Sequence, residues 1–295
     1  TDIIEFAEYP SNSDDIAKCL SGLLKEPILF ADIEAFSLNA FEAGIGTIAF
    51  AKNKTEGVAF ACDYVSHNSF DSNIPNADGT FGFKMTNRTV RKYLRDFFEN
   101  YRGKLIWHRS SYDLKVLIYT LWMDNPLDMH GMLYGLEVMT RNFGDTKIIA
   151  YLALNSCSRQ SYSLKSLAQE YAGSWAIAEI EEIAKIRLPK LLEYNLTDTL
   201  CTAYIYEKYL PIMIQDKQEN IYNTMMLPSQ KVLLQTELCG MPMNDNKLSD
   251  LDRDLSGYVD SLMKELENSP VIQDVQLNLQ QKQMEKANAR LKVKQ

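Results

Sequence analysis

Histidine is scarce: His67, His108 and His130 are the only three in 295 residues, which argues against a histidine-rich zinc site. Cysteine is sparse and odd in number. Cys19, Cys62, Cys157, Cys201 and Cys239 form no CxxC pair, so they read as reduced thiols of an intracellular chain, not as a disulfide framework. Basic residues are outnumbered, 31 against 39 acidic, for a net charge of −8. A protein that merely coats nucleic acid is normally basic, so long-range attraction to phosphate is not the theme. A local binding channel is still compatible with that total. There is no run of 18 apolar residues, hence no expected membrane span. The opening "TDIIEFAEYPSNSDD" lacks the basic-then-apolar order of a signal peptide. No internal repeat is visible. A start on Thr and an end on "RLKVKQ" give the expectation of a piece of something longer.

What is present suffices for a buried core. The chain is 46% hydrophobic, and its length suggests about two structural units. An apolar run, 27–31, ends in an acidic pair. "GIGTIAFAKN" (44–53) and "EGVAFACDY" (56–64) are β-rich and separated by a polar turn, which predicts a hairpin. The composition of 66–82 predicts a loop. Val90, Tyr93, Leu94, Phe97 and Phe98 repeat at helical spacing, with Thr86 or Asn87 as the cap. "KLIWH" (104–108) predicts a strand, and 110–121 a helix capped by Ser110 or Ser111. Further helices are expected near 145–154, 163–171, 179–186 and from Pro189 to Leu210, ending before Pro211. A helix from 227 closes on Gly240. The stretch 246–268 is amphipathic, with Leu248, Leu251, Leu255, Tyr258, Val259, Leu262 and Leu266 on one stripe. The last twenty residues carry five basic residues and one acidic one and read as exposed. The expected division is a lead segment 1–25, a main domain 26–212 and a helical extension 213–295.

The chemistry is carried by acids. "LFADIEAF" (29–36) sets Asp32 and Glu34 with one residue between them, and alternate residues of a strand share a face. Asp113 opens a helix after a strand. Asp198 sits within a helix in an apolar setting, with Tyr194 one turn earlier on the same face. Four carboxylates converging without basic partners would climb in pKa until some took protons. Divalent cations remove that problem, since hard ions such as Mg²⁺ and Mn²⁺ prefer carboxylate oxygens. Two such ions, typically ~3.5–4 Å apart, clamp the attacking and leaving oxygens of a phosphoryl displacement.

At these residues the chain resembles the DEDDy 3′–5′ exonucleases. D-x-E at a strand end (Asp32, Glu34), Y-D after a strand and turn (Asp113) and Y-x-x-x-D on a late helix (Tyr194, Asp198) occur in the family's order and spacing. "DTKIIAYLALNS…YSLKSLAQEY" (145–171) and "ELCGMPMNDNKL" (237–248) extend the likeness to the proofreading part of family A DNA polymerases and the start of their thumb region. It covers about residues 27–268; palm and fingers are absent, so this chain alone is not expected to polymerise. The resemblance implies an α/β, ribonuclease H-like fold with a mixed five-stranded sheet flanked by helices and followed by a helical extension. It implies two divalent ions, Mg²⁺ or Mn²⁺, held by Asp32, Glu34, Asp113 and Asp198, with Tyr194 orienting the attacking water. The implied partners are a single-stranded or frayed DNA 3′ end, the remainder of a polymerase and a processivity factor. The implied setting is the cytoplasm of a bacterium or of a virus-infected host, with an organelle left open. Two positions depart from the family pattern: Arg109 stands where Asn is usual, and Ala35 where Thr is frequent.

Other residues keep two readings. Phe36 and Leu38 are either core or, as the family places them, an apolar wedge against the terminal base. Arg109 contacts substrate phosphate, pairs with an acid or perturbs the site. Arg159 and Tyr162 are ordinary loop residues or hold single-stranded backbone by charge and stacking. His108 reads as a packed strand-end histidine, and the 12 methionines as core filler. Three functions compete: polymerase proofreading, a free-standing ribonuclease D-like trimming of RNA, and an inactive module that positions DNA or a partner.

Overall fold

Strand β2 (Ile28–Glu34) lies at the centre of the architecture. The computed structural model describes residues 3–68, 74–154, 161–173 and 182–292. β2 pairs antiparallel with β3 (Thr47–Ala51), which turns back into β4 (Glu56–Ala61) as the expected hairpin. On its other side β2 runs parallel to β7 (Lys104–Trp107), which runs parallel to β8 (Phe143–Asp145). These five strands form the expected mixed sheet. The lead segment adds a sixth, β1 (Phe6–Glu8), parallel to β4 at the edge, and then forms helix α1 (Ser13–Leu23); a single turn, α2 (Ala40–Ala43), lies between β2 and β3. Two short strands, β5 (Tyr64–Ser66) and β6 (Gly82–Lys84), bracket the expected loop and form their own ribbon.

Alternation along β2 sorts the sheet's two faces. Leu29, Ala31 and Ile33 join the larger core with Ile48, Phe50 and Phe60. That core is closed by α3 (Arg88–Asn100), whose cap is Asn87, and by α4 (Ser111–Trp122). Phe30, Asp32 and Glu34 fall on the opposite face. There Ala49, Ala51 and Ala59 present small side chains to α8 (Leu188–Gln215), which packs Leu192, Leu196, Leu200 and Ala203 against them. The same alternation that buries Phe30 under α8 therefore turns both acids toward that helix. α8 also buries Thr197, Thr199 and Thr202. Their hydroxyls donate to the carbonyls of Glu193, Asn195 and Asp198, one turn back, so none is left unsatisfied.

Several helices differ from expectation. α8 does not stop before Pro211; it continues to Gln215. The lost N–H costs one helical bond, but continuing places Met213 in full burial. α5 (Met129–Thr140), capped by Asp128, had no clear sequence signal because its apolar residues surround the helix. α6 (Thr146–Ala153) and α7 (Leu164–Ala172) match expectation. Of 179–186, only a 3₁₀ turn at Ile183–Lys185 lies among the described residues. After α9 (Glu219–Ile221) a π-helical turn, Tyr222–Met226, leads into α10 (Leu227–Cys239), which ends on Gly240 at φ +65°. The methionines are not all core: Met85, Met129, Met225, Met241, Met243, Met263 and Met284 are exposed. Cys19, Cys62, Cys201 and Cys239 are free thiols; Cys157 lies outside the described residues.

The chain divides into two compact units, Thr1–Gly240 and Met241–Gln295. The second consists of α11 (Asp245–Glu267), capped by Asn244, and α12 (Pro270–Lys292). The apolar stripe of α11 is exposed along its length. No helix among the described residues is long and apolar enough to cross a membrane.

Candidate metal centre

Three carboxylates meet where β2 ends beneath α8. Asp32, Glu34 and Asp198 each offer an oxygen, and those oxygens lie within 4.8 Å of one another. Asp113, in the first turn of α4, is buried beside them; its charge is felt at Glu34, and that of Asp32 at Asp113. The Ile33 backbone N–H faces the Asp113 carboxylate and partly offsets the rise in its pKa, so the end of β2 borders the fourth acid as well. Gly46 makes room at the strand end. Its N–H donates to the Glu34 carbonyl at 2.8 Å, and a Cβ there would stand 2.7 Å from that oxygen.

Electrostatically the cluster is unfavourable by itself. Burial, and then the Glu34 charge, pushes Asp32 well above the ordinary carboxylate range. Glu34 is pushed up to about 8, first by burial and then by Asp113. Asp198 is raised by burial and by Asp32 and Glu34. Opposing this are a hydrogen bond from Asn195 to Asp32, one from Tyr194 to Asp198, and the positive charge of Lys165 near Glu34 and Asp198. Asp198 Oδ1 is nonetheless buried with no hydrogen-bond partner. A buried anionic oxygen without a donor is costly. An all-oxygen donor set with an orphaned carboxylate oxygen suits a hard divalent cation.

The other predicted residues are spread around this centre. Tyr194 is half-buried; burial and the neighbouring acids raise its phenol far above the usual value, so it stays protonated. Phe36 stacks on Tyr64 with ring centroids 5.9 Å apart, while Leu38 is 94% exposed. The Tyr112 hydroxyl donates to the Ser37 carbonyl and ties their loop to α4. Arg109 takes φ +59° with its side chain exposed, and it shares a cavity with Tyr162. Arg159 lies outside the described residues. His108 is packed: Nε2 donates to the Tyr162 carbonyl at 3.2 Å, and burial lowers its pKa to about 4. Ser110 is the residue at the α4 cap position, but its hydroxyl does not cap the helix; it donates to Asp145 instead.

Three contributors carried no recognised sequence signal. Asn195 lies between Tyr194 and Asp198, and its only hint was a polar residue on an apolar helix face. Lys165 places its ammonium 5.5 Å from the Tyr194 ring centroid. Asp145 is fully buried; its carboxylate accepts from the N–H groups of Arg109, Ser110 and Lys147 and from the Ser110 hydroxyl, at 2.8–3.2 Å. That network holds Arg109 in its left-handed conformation.

No family model and no curated protein matches the chain. Solved structures do. The POL domain of Pol1 from M. smegmatis, in complex with DNA primer-template and dNTP, superposes with a TM-score of 0.54 at 13% identity over 88% of this chain. This chain spans 37% of the length of that one. Brucella melitensis NrnC with bound Mg²⁺ gives 0.47 at 16% identity, over 78% of this chain and 92% of NrnC. Escherichia coli RNase D, an exoribonuclease involved in structured RNA processing, gives 0.47 at 14%, over 80% and 52%. Over 88% of its length the chain, a mixed sheet with helices on both faces, is thus similar in fold to part of the Pol1 POL domain.

Proposed function

We propose that the chain is a metal-dependent 3′–5′ exonuclease acting on single-stranded or frayed DNA ends, the proofreading portion of a family A DNA polymerase. The observation that carries this reading is the Asp32, Glu34 and Asp198 triplet, closed by Asp113 and left with an unpartnered buried oxygen on Asp198. Asp32, Glu34 and Asp198 would hold one divalent ion, and Asp32 with Asp113 a second. When bound, such ions supply neutralising charge and Lewis-acid polarisation of a phosphodiester. The Tyr194 hydroxyl, neutral and fixed beside Asp198, orients the attacking water. Water adds to phosphorus, the bond to the 3′ oxygen of the preceding nucleotide breaks, and a nucleoside 5′-monophosphate leaves. Exposed Leu38 and the ring of Phe36 would bear on the terminal base, with Arg109, Arg159 and Tyr162 on the strand behind it.

The test is digestion of 5′-labelled single-stranded DNA and RNA with Mg²⁺ or Mn²⁺. The expected result is stepwise shortening of DNA, lost in chelator and in Asp32→Ala. Trimming of RNA alone would move the assignment to a ribonuclease D-like enzyme. A folded protein that trims neither under either ion would leave a module that only positions nucleic acid or a partner.

A further inference from the structure

Beside the carboxylate centre, at the seam of β7 and β8, lies a cavity of about 350 Å³ whose lining includes Arg109, Lys147, Tyr151, Tyr162, Met226 and Gln230. Sheet order places it one strand further from β2 than the site of Asp113. The two sites are joined at the start of α4, since Ser111 also lines the cavity and Asp113 is two residues on. The charge of Asp145 at the cavity wall is felt at Asp113.

Its chemistry is divided. Arg109 and Lys147 bring two positive charges, and neither is ion-paired among the described residues. The one acid in the lining, Asp145, is consumed by four donors and stays fully buried. The N-terminus of α6 is already capped by that same carboxylate, so the side chains carry the site. One turn along α6 from Lys147, Tyr151, 47% exposed, meets Tyr162 edge to face, centroids 5.6 Å apart. Met226 and Gln230 complete the wall from the π-helical turn and α10. Tyr222, in that turn, accepts the Asp145 N–H at 2.9 Å and fixes the wall to β8. π-turns inside helices frequently mark functional sites.

We propose that this cavity receives an internal nucleotide of the substrate strand, upstream of the scissile linkage. Arg109 and Lys147 take its phosphate and Tyr151 stacks on its base. Charge with an aromatic platform is the combination by which proteins hold single strands without reading sequence. The proposal rests on the exonuclease reading and extends it from the terminal bond to the path of the strand.

The test measures binding without metal, by fluorescence anisotropy, of a labelled octanucleotide, a dinucleotide and a nucleoside 5′-monophosphate. Lys147→Ala and Tyr151→Ala are each expected to weaken the octanucleotide on the order of tenfold and to leave the dinucleotide as it is. Tyr151→Phe should retain binding, because the ring and not the hydroxyl does the stacking. Unchanged octanucleotide affinity in both alanine variants overturns the proposal. So does a monophosphate that binds as tightly as the octanucleotide and loses affinity in the same variants, which would make this a mononucleotide site. If the wild-type chain binds no strand, the cavity assignment fails, and the trimming assay run in parallel shows whether the exonuclease reading survives it.

Discussion

Asn195 Nδ2 donates a 2.8 Å hydrogen bond to Asp32 Oδ2, joining α8 to the central strand across 163 residues of sequence. The other end of the same amide is fixed as well, because Asn195 Oδ1 accepts from the Thr47 hydroxyl at 3.0 Å. Asn195 is fully buried, so neither bond is exchanged with bulk water. Asp32 is thereby held by a donor that favours its charged form, as a ligand to a cation needs.

Asn195→Ala removes that donor without touching a candidate ligand. Partners behind metal ligands are typically worth about 10–100-fold in metal affinity or activity. A loss of that size is expected in Mn²⁺ affinity by calorimetry and in the trimming rate. Asn195→Asp should be worse, since it places another carboxylate beside Asp32. Wild-type Mn²⁺ affinity in Asn195→Ala would show that the amide only packs.

Metal-free protein should lose stability as pH rises. Glu34 titrates at about 8 in the folded chain against an ordinary value of 4.5, so the folded state keeps a proton that the unfolded chain releases. Stability then falls with pH through that window. The Tm without metal should decline between about pH 5 and 8. Mg²⁺ or Mn²⁺ should reverse the trend, because ions compete with those protons and are bound more tightly at the alkaline end. Lys165→Met removes the charge that lowers Glu34 and Asp198, so the metal-induced rise in Tm should move to higher pH. A Tm that climbs steadily with pH in chelator would contradict the buried acidic cluster.

Much of this centre was legible because it uses short-range rules. The alternation of β2 put Asp32 and Glu34 on one face, and helical spacing put Tyr194 over Asp198. Asn195, Lys165 and Asp145 were not legible, since each acts through a partner remote in sequence: Asp32, the ring of Tyr194 and the backbone of Arg109. No local pattern distinguishes a buried amide that bonds a distant carboxylate from one that faces water. Pro211 misled for the related reason that the local cost of proline was visible, while the burial of Met213 that outweighs it is tertiary. The lead segment gave no strand signal because β1 has only three residues and owes its place to β4.

Tyr194→Phe separates orientation of water from metal holding. The phenol is kept protonated by burial and by Asp198, Glu34 and Asp32, so it acts as a neutral hydrogen-bonding group and not as a base. Its loss should lower kcat on the order of 10²-fold, the cost of a misplaced nucleophile, while the metal-induced rise in Tm is retained. The pH–rate profile should show no limb belonging to the phenol, so a limb that vanishes in Tyr194→Phe would overturn the assignment.

Leu38 and Phe36, which share one loop, should differ in their effect on stability. Leu38 is 94% exposed, so it buries almost nothing in the free protein, and Leu38→Ala should leave Tm where it is. Its apolar surface is available only to something that docks. Loss of one such contact should raise KM for a single-stranded end on the order of tenfold. Phe36 already stacks on Tyr64 at 5.9 Å, an aromatic pair worth about 0.5–1.5 kcal/mol beyond burial. Phe36→Ala should therefore lower Tm as well as activity. Measuring Tm and KM for both variants decides the matter: a destabilised Leu38→Ala would make Leu38 a packing residue, and an unchanged KM would remove it from the substrate's path.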